Sequence, residues 1–204
     1  LSSSVLEPEF NDQLLALGKN QLPSGLIGKP DDLFEIYVRN ALEFLFRCRV
    51  IRYGQDRKFE ARQDGIVIQD RNFTALYDAK AYSNGYIVTE DSIRQFKSYV
   101  DEFKKRYGYY FEVNSFIVIS GQFPHEKTTL EQRSREMQSL TGVPLTFLTS
   151  NALVEIINLL LDSTSTRRSI NWKRIFVNPV IEKKHIVHEL KLIGKDKIIP
   201  TNVR

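Results

Sequence analysis

The stretch that decides the fold is "QDGIVIQDRNFTALYDAKAYSNGY" (63–86). Two runs of strand-forming residues, 65–69 and 73–81, are separated by the turn formers Asp70, Arg71 and Asn72. The second run ends in an acid, Asp78, and a base, Lys80, with Ala79 between them. Side chains alternate across a strand, so Asp78 and Lys80 share one face and Ala79 takes the other. In an antiparallel pair the start of one strand lies beside the end of the next. Asp64, just before "GIVIQ", therefore converges with Asp78 and Lys80 at one edge of the sheet. An isolated Asp78–Lys80 surface pair would mean little, and an Asp-Gly turn would account for Asp64 by itself. Together the three make a cluster with more acid than base. Its donors are all oxygens, with no His or Cys, so the hard ion Mg²⁺ is the expected guest, with Mn²⁺ as a substitute. Such a site suits phosphodiester hydrolysis. Lys80 would orient or deprotonate the attacking water, or stabilise the developing charge.

Outward from this centre the chain alternates between helix and strand. Upstream, Asp31 or Asp32 is the expected N-cap of a helix over "LFEIYVRNALEFLF", whose core face is Phe34, Val38, Ala41, Leu42 and Leu45. A strand near "RVIRY" follows, closed by Gly54, Gln55 and Asp56. After the "SNG" turn (83–85), Thr89 opens a helix with the stripe Ile93, Phe96, Val100 and Phe103. "SFIVIS" (115–120) reads as a strand buried on both faces. A polar helix near 126–140, a strand at "VPLTF" (143–147) and a helix at 150–161 complete the series. This order predicts an α/β fold, an αβα sandwich with a central mixed β-sheet. Residues 1–30 read as an arm in which Leu14, Leu15 and Leu17 make at most a short helix, because Pro23, Gly25, Gly28 and Pro30 break it.

Composition excludes other classes. The 204 residues are 42% hydrophobic and 26% charged, typical of a folded globular chain, and no apolar run is long enough for a bilayer. One cysteine, Cys48, excludes an internal disulfide framework, fits a reducing compartment, and reads as a small core hydrophobe. Net charge is +4 but uneven: residues 163–204 hold 10 Lys and Arg against 3 Asp and Glu, and residues 1–162 hold 19 against 22. That points to polyanion contact by the basic end, or to a solvated tail.

The halves "QDG" (63–65) and "DAK" (78–80) resemble the motif of the PD-(D/E)XK nucleases, with Gln63 where the family name has proline. "DAKAYSNGY", a helix ending in "YVDEF", "FIVISGQF" and "TGVPLTFLTSNALVEI" follow in order. The chain is thereby most similar to the FokI-type cleavage domains of type IIS restriction endonucleases, over roughly 32–161. The resemblance implies a restriction-endonuclease-like fold and a Mg²⁺-dependent endodeoxyribonuclease. Asp64 and Asp78 would be the metal-binding carboxylates, the carbonyl of Ala79 a further ligand, and Lys80 the catalytic lysine. Glu35 would be the added glutamate of the first helix, with Glu43 as its rival.

It implies, too, double-stranded DNA as partner, a transient homodimer for double-strand cleavage, base recognition by a domain or subunit outside this chain, and a prokaryotic cytoplasmic setting. In FokI the helix after the motif carries an ion pair across the dimer; Arg94 and Ser98 stand at those positions and do not reproduce it. The chain divides in this reading into an arm (1–30), a nuclease core (31–162) and a basic extension (163–204). Candidate DNA contacts are Tyr82 and Ser83 at the turn, His125 in "GQFPHEK", and Arg167, Arg168, Lys173 and Arg174 in "RRSINWKRIF". Lys183, Lys184, Lys191, Lys195 and Lys197 would add to these. Tyr82 and Tyr86 flank the turn as core or as groove-lining residues. His185 and His188 lack a third metal ligand and read as surface histidines, and the Tyr107–Phe111 run reads as packing at a helix end. Alternatives are another PD-(D/E)XK task (repair, mobile element or nicking subunit) and a silent DNA-binding or assembly module.

Overall fold

The architecture follows from two crossovers. The computed structural model describes residues 5, 7–52, 63–69, 73–161 and 166–196. Strands β1 (Val50–Arg52), β2 (Gly65–Gln69) and β3 (Phe73–Lys80) form an antiparallel meander. From β3 the chain crosses through α3 (Glu90–Tyr107) to β4 (Ser115–Ser120), then through α4 (Lys127–Thr141) to β5 (Leu145–Thr149). Each crossover makes a parallel pair, so the five-stranded sheet, ordered β1-β2-β3-β4-β5, is mixed. Helices α1 (Phe10–Gly18), α2 (Pro30–Phe46), α5 (Ser150–Leu161), α6 (Trp172–Ile175) and α7 (Lys183–Asp196) cover one face. Helices α3 and α4 cover the other. The expected αβα sandwich is what the chain forms. The expected turns at 54–56 and 70–72 lie outside the described residues.

Alternation in β3 sorts its side chains between two cores. Ala75, Tyr77 and Ala79 pack toward α2 and α5, whereas Leu76 packs toward α3, which is also the side of Asp78 and Lys80. All six residues of β4 are buried, as its unbroken apolar run requires of a strand covered on both faces. Helix α3 begins as expected: Thr89 and Ser92 form a reciprocal capping box, and Ile93, Phe96, Val100 and Phe103 are buried. Its acids in the first turn and bases in the last complement the helix dipole.

Helix α2 differs at its start. Pro30 occupies the first turn and Lys29 is the N-cap, with Asp31 and Asp32 inside the helix, because proline suits a position whose N–H has no acceptor. Strand β5 starts two residues later than expected, at Leu145.

The segments on either side of the sheet region, α1 and the stretch around α6, enter the core. Phe10, Leu14 and Leu17 of α1 are buried, and Phe10 stacks on Tyr37 of α2 at 5.0 Å. At the end of α1, a Cβ on Gly121 would lie 2.3 Å from the Gly18 carbonyl oxygen, so two glycines let the helix meet the exit of β4. In the C-terminal stretch, Trp172 and Phe176 join Phe46 and Phe73 in an aromatic cluster. Phe147 donates to Pro179 and accepts from Ile181, which covers the outer edge of β5. The expected arm and basic extension thus supply core as well as surface. Cys48 is half-buried against the α2 core.

The Tyr107–Phe111 run corrects its expectation. Phe111 packs, but Tyr109 is 94% and Tyr110 74% exposed, touching each other edge to face at 5.2 Å. No helix among the described residues is long and apolar enough to cross a membrane.

Candidate active site

The site forms where β2 begins and β3 ends. Gly65 pairs with Tyr77, so Asp64 and Asp78, one step further along each strand, meet at the same edge. Asp64 turns one carboxylate oxygen onto the Ala79 N–H at 2.7 Å. Asp78 is 1% exposed, and its Oδ2 lies 2.6 Å from Lys80 Nζ. Lys80 takes one side of that buried oxygen, and a carboxylate oxygen has lone-pair capacity for a further partner. On the next strand, the Ser120 hydroxyl donates to the Lys80 carbonyl at 2.7 Å and ties the strand end to β4.

Electrostatics give the cluster its character. Burial, then the charge of Asp78, holds the Asp64 carboxyl well above the usual carboxylate range, against a smaller pull from Lys80. At Lys80, burial disfavours the ammonium, but Asp78 and Asp64 outweigh it and raise its pKa. Two acids thus share one lysine. Helix α3 closes the same face with Tyr99, pushed up to about 12 by burial and then by the Asp78 charge. Tyr86, whose hydroxyl donates to Ser92 at 2.9 Å, is raised by burial, and the charge of Asp78 adds to this.

A divalent cation fits this donor set. The surplus carboxylate charge and the open Asp78 oxygen are what it would satisfy, and oxygen-only donors favour a hard ion. Among the described residues no three His, Cys, Asp or Glu side chains come together as ligands. Two carboxylates, with water and substrate phosphate completing the shell, is the way Mg²⁺ is commonly held.

Glu35 and Glu43 separate clearly. Glu35 takes both Nε (3.1 Å) and Nη2 (2.6 Å) of Arg52 on one oxygen, and its charge is felt at Asp64. Burial raises its pKa despite the Arg52 hydrogen bond. Glu43 instead accepts from the Val50 N–H at 3.1 Å. Glu35 is the glutamate beside the cluster.

The remaining sequence candidates scatter. Tyr82 and Ser83 are exposed at the turn after Lys80, and Tyr82 contacts Tyr86 at 5.6 Å. His125 is half-buried and accepts from the Val88 N–H at 2.9 Å, which pins the loop beyond the turn. Arg167 is a correction: it is buried, donates to the Phe44 carbonyl at 3.0 Å, and stacks 4.0 Å over the Phe44 ring. The side chains of Arg168 and Lys195, and all of Lys197, lie outside the described residues.

Lys173 lies 3.9 Å from Glu112 and Arg174 4.0 Å from Glu189. Glu112 leads into Asn114, which bonds Thr74 at the start of β3. Six strand residues, about 20 Å, separate that end from Lys80. His188 is exposed, and His185 accepts from the Glu182 N–H at 3.1 Å.

Sequence reasoning missed Tyr77 and Arg52. A Cβ on Gly65 would lie 2.4 Å from the Tyr77 ring and from the Ile51 carbonyl oxygen, so the glycine of "QDG" exists to admit that ring. The Tyr77 hydroxyl is buried without a hydrogen-bond partner next to Asp64, Glu35 and Arg52. Gly65 inside a strand was the available signal; Arg52 had none.

The family model described as FokI, cleavage domain, matches residues 6–181. This chain belongs to the FokI cleavage-domain family. FokI-type cleavage domains are nucleases, and the family implies a divalent metal requirement. The solved structures of restriction endonuclease FokI, alone and bound to DNA, have TM-scores of 0.63 and 0.64 to this chain, each at 18% identity. Both matches cover 86% of this chain and 31% of the FokI chain, so it spans about a third of that protein's length. No curated protein matches this chain.

Proposed function

We propose that this FokI-type domain is a Mg²⁺-dependent endodeoxyribonuclease that hydrolyses DNA phosphodiester bonds, as the cleavage module of a type IIS restriction endonuclease. The carrying observation is the meeting of Asp64, Asp78 and Lys80 at one sheet edge with more acid than base. Asp64 and Asp78 would hold the ion, with the Ala79 carbonyl as a further ligand and Glu35 beside them. When bound, the ion would polarise a phosphate oxygen and acidify water. Lys80 keeps its proton at neutral pH, since two carboxylates raise its pKa. Its part is therefore to position the attacking water and donate to the charge growing on the phosphate, rather than to act as a free base.

Double-stranded DNA as substrate is supported by the family and by the likeness to FokI, one of whose structures is bound to DNA. Recognition of a base sequence would fall to a domain or subunit beyond this chain, since two acids and a lysine act on the phosphodiester that every nucleotide carries. A transient homodimer would cut both strands. Arg94 pairs with Asp91 and Glu90 of its own helix, so that dimer rests on contacts other than the FokI ion pair.

Plasmid cleavage in Mg²⁺ tests the reading. Wild type should nick and then linearise supercoiled DNA, the second step rising with protein concentration, while Asp78→Ala and Lys80→Ala should do neither. Normal cutting by both variants, or a wild type inert at high concentration, overturns it.

A further inference from the structure

A groove of about 490 Å³ runs between α2 and β1, lined by Arg39, Glu43, Arg49, Val50, Ile51 and Arg52. Its helical wall follows from spacing: Glu35, Arg39 and Glu43 are four residues apart and stack on one face of α2. Both acids are already engaged, Glu43 by the Val50 N–H and Glu35 by Arg52. The arginines keep donors to spare. Arg39 gives Nε and Nη2 to Asn40 Oδ1, at 3.3 and 3.0 Å, and leaves Nη1 without a protein partner among the described residues. Arg49 is exposed and has no carboxylate or hydrogen-bond partner among them.

One end of the groove, at Arg52, lies next to the residues of the active site. Arg52 pairs in register with Gly65, the neighbour of Asp64, and binds Glu35. From Glu35 to Glu43 the helix rises about 12 Å. One DNA strand offers a phosphate every ~3.4 Å of axis, so this length, from Glu35 beside the site to Glu43 in the groove wall, matches about three nucleotides. Planar guanidinium forks fit phosphate oxygens better than any other side chain. The other basic surface, Lys183, Lys184 and Lys191 on α7, is an open flank of a single helix with no connection to Asp64.

We propose that this groove holds the phosphates of the DNA strand on one side of the cut, with Arg39 and Arg49 as the contacts and Arg52 at the junction with the active site. The proposal rests on the DNA-cleavage reading above and assigns that site its substrate track.

The test is binding of a duplex of about 20 base pairs without metal, from roughly 50 to 200 mM salt, for wild type, Arg39→Ala/Arg49→Ala and Arg49→Glu. Each phosphate contact contributes about 0.9 to the slope of log affinity against log salt, so the double variant should lose about 2. Arg49→Glu, at an exposed position, should weaken binding while leaving thermal unfolding unchanged. In Mg²⁺ the double variant should nick plasmid at least tenfold more slowly at the higher salt and recover at the lower, whereas Asp78→Ala cuts at neither. Folded variants with wild-type affinity and slope overturn the groove and leave the nuclease reading standing. A wild type that binds with the expected slope loss on substitution, yet never cuts, sinks the nuclease reading and keeps the groove.

Discussion

Replacing Asp64 by Asn should stabilise the metal-free protein and abolish its response to Mg²⁺. The reasoning starts from sign. Burial and the Asp78 charge raise the Asp64 pKa in the folded state, so folding favours its protonated form. That favourable contribution is complete below the ordinary carboxylate pKa and is lost as pH rises through the folded value. Above that folded value the ionised carboxylate is therefore a net cost, offset only in part by Lys80. Asparagine has the same shape, keeps an acceptor for the Ala79 N–H, and leaves Asp78 and Lys80 as a matched pair.

Relief of an uncompensated buried charge is worth about 1–2 kcal/mol, or about 3–6 °C in Tm for a domain of this size. The gap should shrink toward pH 4 as wild-type Asp64 takes up its proton. Mg²⁺ at about 100 times its Kd should then add about 2.7 kcal/mol to wild type and little to the variant, reversing their order. Thermal unfolding with EDTA and with Mg²⁺, at pH 4 and pH 7.5, reads all of this. A metal-free Asp64→Asn that melts below wild type at pH 7.5, or that gains as much from Mg²⁺, refutes the account.

Lys80→Ala should end cleavage and also lower metal-free stability by about 3 kcal/mol, because it leaves Asp78 buried without its cation; added Mg²⁺ should recover part of the lost Tm. Gly65→Ala should cost 3 kcal/mol or more, about the upper end for overpacking, since the new methyl meets the Tyr77 ring and a backbone oxygen at 2.4 Å. Chemical denaturation measures it, and Gly65→Ala melting like wild type would remove the packing explanation for "QDG". Arg167→Ala should destabilise by about 2 kcal/mol through its lost hydrogen bond and ring contact, yet leave the salt slope of DNA binding unchanged. A reduced slope in folded Arg167→Ala would return that residue to the DNA interface.

Where a side chain's role follows from its immediate neighbours in sequence, the sequence could be read. The strand pair 65–69 and 73–80, the Thr89 cap and the doubly buried β4 all follow from local periodicity, and they bring Asp64, Asp78 and Lys80 together. The failures are of another kind. Pro30 displaced the expected N-cap because two start signals competed within three residues, and proline fixes its own φ. Tyr109 and Tyr110 look like core by type, but they follow the last turn of α3, where no layer remains to cover them. Tyr77 looks like an ordinary strand aromatic until its partner across the ladder proves to be Gly65.

The linear distribution of charge and its distribution in the fold differ for a physical reason. Counting along the chain puts the excess of basic residues after residue 162, yet Arg167 is buried, Lys173 lies beside Glu112 and Arg174 beside Glu189. The arginines that line the groove, Arg39, Arg49 and Arg52, belong to the segment whose net charge is negative. There the glutamates that cancel them in the sum are held by a backbone N–H and by Arg52 itself. A polyanion responds to the local field within about a Debye length, roughly 10 Å, and not to a segment's total. The field that matters to a strand entering the site is thus set by helical spacing on α2 and by the register of β1, both of which bring to one groove residues that the linear count assigns to an acidic body.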